Sequence, residues 1–324
     1  MEKVLKDLKN YHESDEGKPY FNKDKYEVFD YDFNKVMRIS GPIYFIDGGN
    51  QEVISDNSFC ISFNKVAYAS FDHTKKKVDS KNFWSSSILK KDMKYKTRFM
   101  DEMIEFDAYD PRLESSGNRV SPLKISNLIR KIGEFMFAKD LCDSVKDSII
   151  VLDGILLSNH EILKKYINEL YYSAEKNNNI ICSVAKTSNL VTTTGRSLNE
   201  VVSSKKNGAF YVKIAKSKFD EHNATIYLLR LHERSDHVFR FEIGRTWEKD
   251  AEKVIGVLAD NSKDPVFLGY PYGLVVADEL ARVSNNETEF MRTKFSVELS
   301  KKDKMLAKTL FKKNPHGVLD SIKF

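Results

Sequence analysis

Three things are missing from this chain, a long apolar run, a cysteine framework and a glycine-rich phosphate loop, and each absence removes a class of protein. No apolar run approaches the roughly 20 residues that a membrane-spanning helix needs. The opening MEKVLKDLKNYHESDEGKPY is charged from residue 2 and has no secretory core. The expectation is a soluble, cytoplasmic protein with no membrane association. Cys60, Cys142 and Cys182 are an odd number without a CxxC pair, so they supply neither disulfides nor a zinc knuckle, which fits a reducing compartment. With only 14 glycines in 324 residues, no GxxxxGKS/T loop occurs, and a P-loop motor is excluded.

What is present suffices for a sizeable core: 41% of residues are hydrophobic and 12% aromatic. Lys and Arg number 52 against 47 Asp and Glu, and the net charge of +5 suits a polyanionic partner. The most informative stretch is GPIYFIDGGNQEV, residues 41–53. Ile43 to Ile46 form a short buried-strand pattern that ends in Asp47, where Gly48 and Gly49 are expected to turn the backbone. A second copy follows about a hundred residues later, where SIIVL (148–152) ends in Asp153 and Gly154. Two carboxylates fixed at strand ends are suited to holding hard divalent cations for in-line attack on a phosphodiester. Either Asp-Gly alone also reads as a plain turn after a strand.

Along the chain, residues 1–40 read as an N-terminal arm with one helical pattern (Val4, Leu5, Leu8, Tyr11). After the 41–47 strand, the alternation at Phe59, Ile61 and Phe63 predicts a second strand, and Asn82 to Ile88 a third, as an antiparallel meander. Residues 89–120 are charge-dense and end in DPRLESSGNRVSP, which predicts an insertion or substrate-facing loop. From Ser121, apolar residues Ile125, Leu128, Ile129, Ile132, Phe135, Met136 and Leu141 recur at helical spacing, with Glu134 beside the stripe. A helix over Glu161 to Lys176 and a strand over Asn179 to Ala185, ending in Lys186, complete a β-α-β unit and hence a parallel pair. Strand patterns at 208–216, 224–232 and 238–243 form an antiparallel extension. A break at Gly269 to Gly273 precedes a helix, Leu274 to Val283, that carries Asp278, and the basic tail 288–311 is helical. No repeat is evident, so residues 41–324 are expected to form a single α/β domain after the arm.

A meander opening on an Asp strand, a helix-borne Glu, a second strand-end Asp and a late helical Asp are the parts of a ribonuclease H-like metal site. In that order they are Asp47, Glu134, Asp153 and Asp278. With IDGGN (46–50), RKIGEFMFAKDL (130–141), IIVLDGILL (149–157), CSVAKTSNL (182–190), RLHERSDHVFRFEI (230–243), GYPYGLVVADELARV (269–283) and HGVLD (316–320), the chain resembles the NurA family of DNA-end nucleases over residues 41–320. The resemblance implies an α/β fold with a ribonuclease H-like mixed sheet, flanking helices and an antiparallel extension. It implies a metal-dependent 5′–3′ exonuclease and endonuclease on DNA, acting in end resection and recombinational repair. It also implies Mn²⁺ (or Mg²⁺) as cofactor, two ions in number, a homodimer, and a HerA-like hexameric ATPase as partner. Asp47, Glu134 and Asp153 match the family's metal-binding acids; some members have a histidine where this chain has Asp278. Glu114, in a loop setting, is a poorer candidate.

Other residues read two ways. Lys186 is placed to hold a scissile phosphate or merely flanks the sheet, and Arg196 in TTTGR is a second phosphate candidate. Tyr270 and Tyr272 flank Pro271 and either stack an unpaired base or pack beneath the next helix. His232 and His237 lie at a hairpin turn. An actin- or sugar-kinase-like ATPase also puts Asp-Gly turns on this kind of sheet, but its glycine-rich loops are lacking. A catalytically silent DNA-binding subunit is the third reading, against which the four acids argue.

Overall fold

The computed structural model describes residues 1–13, 16–72 and 75–311; the HGVLD motif lies outside them. In chain order the elements are α1 (Glu2–Glu13), β1 (Tyr26–Val28), β2 (Phe33–Lys35), β3 (Ile43–Asp56), β4 (Phe59–Asp72), β5 (Lys75–Leu89), β6 (Lys94–Phe99) and β7 (Glu102–Asp107). There follow α2 (Pro122–Ser144), β8 (Ile149–Asp153), α3 (Glu161–Lys176), β9 (Ile180–Ala185), α4 (Leu198–Lys205), β10 (Phe210–Ser217), β11 (Ala224–Arg230) and β12 (Phe239–Gly244). Four helices close the described chain: α5 (Ala251–Asp260), α6 (Tyr272–Ala281), α7 (Asn285–Lys302) and α8 (Lys304–Leu310).

Two compact units are built from these elements. One comprises Met1–Gly48, Val66–Lys81 and Lys131–Ala281, the other Gly49–Lys65, Asn82–Arg130 and Arg282–Phe324. In the first unit the centre is parallel: β3 pairs with β8 and β8 with β9. Such strands are covered on both faces and read as continuous apolar runs, and Ile149–Leu152 and Ile180–Ala185 are buried throughout. From β9 outward the pairing is antiparallel, in the order β9, β12, β11, β10, and both β1 and β2, from the expected arm, pair with β10. Amphipathic α3 buries Leu163, Tyr166, Ile167, Leu170, Tyr171 and Ala174 at three- and four-residue spacing, and the His160 side chain caps it by accepting from the Ile162 amide. The fold is therefore mixed α/β with helices flanking the sheet, as expected.

In the second unit the far halves of β3, β4 and β5 are joined by β6 and β7, an antiparallel pair. This corrects the loop expected over 89–120. Strand β6, KYKTRF, alternates exposed and buried positions, with Tyr95, Thr97 and Phe99 inward. Its charged residues belong to the outer face of a strand that is buried on one side only. Only the following turn, around Asp110, is irregular. Helix α7 starts with a capping box between Ser284 and Glu287.

A second correction concerns Gly48 and Gly49. No turn occurs there: β3 runs unbroken to Asp56, and the chain reverses at Asn57 and Ser58. The glycine pair serves another purpose.

Candidate active site

In-register pairing sets the two strand acids side by side. Ile46 is opposite Leu152, so the next step of the parallel ladder brings Asp47 beside Asp153, across the roughly 5 Å that separates neighbouring strands. Asp153 is in turn opposite Val184 of β9, and Lys186 lies two residues further along. Beyond Asp153 the backbone turns at Gly154, whose φ is +94°.

Helix α2 lays Glu134 over this strand end. A side chain at position 48 would place its Cβ 2.7 Å from Glu134 Oε1. Glycine in mid-strand is what lets the glutamate reach the sheet, so the residue expected to bend the chain instead makes room. Helix α6 is brought down in the same way, since a Cβ on Gly273 would stand 1.9 Å from the Phe45 ring. That close seating on β3 fixes the helix that carries Asp278.

The four acids differ in burial: Glu134 is 0% and Asp47 5% exposed, whereas the Asp278 side chain is 38% exposed. Burial, reinforced by the charges of Glu134 and Asp153, pushes the Asp47 carboxyl up to about 8, despite a 2.7 Å hydrogen bond from the Gly48 amide and the nearby Lys186. Asp153 is also raised, first by burial, with Lys186 opposing. Two ammonium groups stand on the carboxylates. Lys186 Nζ is 3.5 Å from Asp153 Oδ2 and 3.3 Å from Asp278 Oδ1. Lys131 Nζ is 2.8 Å from Glu134 Oε2 and donates to the Asp153 carbonyl at 3.0 Å. Burial lowers the Lys186 pKa, but Asp153, Asp278 and Asp47 outweigh it and hold the ammonium above its usual range.

Among the described residues no three acids, cysteines or histidines stand in ready coordination geometry. The fit to a metal is one of donor chemistry and charge. All donors are carboxylate oxygens, the preference of Mg²⁺ and Mn²⁺. Four carboxylates gather around two ammonium groups, so the cluster carries an excess of negative charge that a divalent cation would offset.

The other expected residues are distributed unevenly. Tyr270 is buried beside Asp153; its hydroxyl forms no well-made hydrogen bond, and burial with the three neighbouring aspartates raises its pKa. The Tyr270 ring lies 5.1 Å from Phe239 and 6.0 Å from Lys186 Nζ. It is a wall of the site rather than an open stacking platform. Tyr272 packs on Phe71 at 5.8 Å. Arg196 lies near Glu16, whose carboxyl it helps to lower. Glu114 pairs with Lys124 in the second unit. Lys131 was not singled out from sequence, although its spacing of three residues before Glu134 on a helix is the available signal.

Residues 41–283 match the NurA domain family. Among solved structures, the fold is similar to that of the NurA nuclease from Sulfolobus solfataricus, with a TM-score of 0.58 at 13% identity over 93% of this chain and 94% of that one. Two other similar structures are described as NurA (TM-score 0.49, 11% identity, 92% and 95% covered) and as NurA bound to dAMP and manganese (TM-score 0.46, 10% identity, 98% and 95% covered). At such identities the likeness is one of fold. No curated protein matches the chain.

Proposed function

The chain belongs to the NurA family, and we propose that it is a metal-dependent DNA nuclease that hydrolyses phosphodiester bonds at the Asp47, Glu134, Asp153 and Asp278 cluster. The observation that carries this reading is the gathering of four carboxylates around only two ammonium groups, Lys131 and Lys186, an imbalance that also raises the Asp47 carboxyl. Buried structural carboxylates are compensated by cations and donors; a group of acids gathered without them is what a functional site requires. Asp47, Glu134, Asp153 and Asp278 would hold Mn²⁺ or Mg²⁺, two ions on this reading, which would supply the missing positive charge, polarise the phosphate and acidify the attacking water.

The chain's own residues do the rest. Asp47 and Asp153, on adjacent rigid strands, fix the spacing of the oxygen donors. Glu134 closes the group from above, held by Lys131, which also grips the Asp153 carbonyl. Lys186, paired with two of the acids, is placed to hold a non-bridging phosphate oxygen as a point charge. Tyr270 keeps water from one side of the cluster.

On this reading the enzyme is a 5′–3′ exonuclease and endonuclease of DNA end resection and repair. It works as a homodimer with a HerA-type hexameric ATPase, with residues 1–40 as an arm before the nuclease domain and Lys186 and Arg196 toward DNA, while Tyr270 and Tyr272 take the packing role of their two readings. Family membership supports these points. The test is cleavage of strands labelled at either end, with Mn²⁺, Mg²⁺ or chelator, and with or without ATP. Metal-dependent, ATP-independent cleavage that Asp47→Ala removes is expected. No cleavage with either metal, or cleavage untouched by that substitution, would sink the reading. Light scattering that shows only monomer at micromolar concentration would remove the dimer.

A further inference from the structure

The loop 232–237, HERSDH, contributes none of the acids, yet it lines two adjoining concavities in the first unit. One, about 410 Å³, is lined by Arg234, Asp236, His237, Phe267 and Tyr270 among others, and thus starts at the wall of the acid cluster. The next, about 460 Å³, is lined by Arg38, His232, Glu233, Arg234, Lys263, Pro265 and Leu268. Arg234, Pro265 and Leu268 belong to both, so the two share a wall.

Three segments distant in sequence build this second concavity, and each is held. The Ile39 amide donates to the Gly256 carbonyl at 3.2 Å, anchoring the Arg38 segment on α5. Gly269, at φ +86°, lets the 232–235 turn approach so closely that a Cβ there would lie 2.4 Å from Ser235 Oγ, which ties the turn to Tyr270 next in sequence. Within that turn the Arg234 amide donates to His232 Nδ1 at 3.2 Å.

Charge decides what the concavity takes. Lys263 is paired with Asp260 at 2.7 Å. Neither the Arg38 nor the Arg234 guanidinium has an ion-pair or hydrogen-bond partner among the described residues, and Glu233 is the sole acid in the lining. Two arginines without ion-pair partners, facing a single carboxylate in the lining, match a phosphate, which guanidinium groups bind in bidentate fashion. His232 stands beside both: burial first, then Arg38 and Arg234, lower its pKa, with Glu233 opposing.

We propose that the concavity of Arg38, His232, Arg234 and Lys263 is a phosphate-binding subsite that holds the nucleic-acid backbone beyond the cleaved bond and leads it along the Tyr270 side into the acid cluster. This rests on the nuclease reading, and the test separates the two. Binding of a fluorescent single-stranded oligonucleotide is measured by anisotropy in chelator, across a salt series, for wild type, Arg38→Ala/Arg234→Ala and a control, Lys90→Ala/Lys91→Ala, that removes equal charge elsewhere. The arginine pair should raise Kd about tenfold and flatten the salt slope by about 1.4, the contribution of two phosphate contacts on a single strand. The control should leave both close to wild type. An arginine variant with wild-type Kd and slope, or a control that loses as much, overturns the subsite. Wild type that fails to bind at all overturns the nuclease reading instead. Strands with a 5′-phosphate and a 5′-hydroxyl distinguish the source: a loss confined to the first assigns the pocket to a terminal phosphate, and an equal loss assigns it to an internal one.

Discussion

Two buried clusters of charge occupy the first unit, and they are opposites. Glu242 on β12 is 0% exposed, yet every oxygen is matched: His222 Nε2 at 2.9 Å and the Leu156 amide at 2.7 Å on one, Arg240 Nε at 2.7 Å on the other. The chain continues from His222 to the Tyr26 hydroxyl at 2.9 Å. Burial alone would raise this glutamate, but the charge and hydrogen bond of His222, then Arg240 and the Leu156 amide, bring it down to about 2. Asp47, nearly as buried, is driven the other way, up to about 8. A carboxylate desolvated with its partners present is structural. One desolvated among other carboxylates is short of compensating charge, and that difference is what the proposed site at the sheet end rests on.

The widest test of the contrast is activity. Asp153→Ala, or Asp47→Ala, should lower cleavage by at least about a thousandfold, about 4 kcal/mol of transition-state stabilisation, while circular dichroism and DNA affinity stay near wild type. A folded variant keeping most of its rate would break the metal assignment.

Glu242 should behave in the reverse sense. Glu242→Gln leaves buried His222 and Arg240 short of their counter-charge and should cost on the order of 3 kcal/mol in urea unfolding, with activity per folded molecule little changed. The pH dependence has a definite sign. Because the folded pKa of about 2 lies below the ordinary 4.5, this stabilisation is fully present above about pH 4.5 and is lost as the pH falls toward 2. Acid unfolding of Glu242→Gln should therefore be shallower than that of wild type in this window; equal slopes would mean that the glutamate is not the compensated member.

Much of the comparison was readable before any coordinates. The apolar run that leads to Asp47, the strand that ends in Asp153, the helix carrying Glu134 and the β-α-β unit all follow from plain apolar runs or helical spacing, although β3 continues past Asp47 to Asp56. The errors came where one residue type has two physical uses. Gly48 was expected to turn the backbone, and instead its missing side chain admits Glu134. The charges of residues 94–107 suggested a loop, because a strand buried on one face shows its polar half as plainly as its apolar half. The Glu242 network and the concavity around Arg38 depend on contacts between segments tens to hundreds of residues apart, for which a single sequence has no periodic signal.

A smaller effect is expected at Asp278, the most exposed of the four acids. Asp278→Asn should lose about ten- to a hundredfold in rate, the range found when groups that orient or tune a metal are removed. Asp278→His should keep more activity with Mn²⁺ than with Mg²⁺, since imidazole suits the harder ion less. Near-wild-type rates for Asp278→Asn with both metals would leave the residue as a partner of Lys186 only.

The most direct measurement compares thermal unfolding of wild type and Asp47→Asn, each with chelator and with Mn²⁺. An acid cluster short of cationic charge should be relieved by the neutral side chain, so Asp47→Asn should unfold at the same or a higher temperature than wild type in chelator. A ligand that binds only the folded state stabilises it. Mn²⁺ should accordingly raise the midpoint of wild type and move that of Asp47→Asn far less. A lower midpoint for the variant in chelator, or equal shifts with Mn²⁺, would contradict the account.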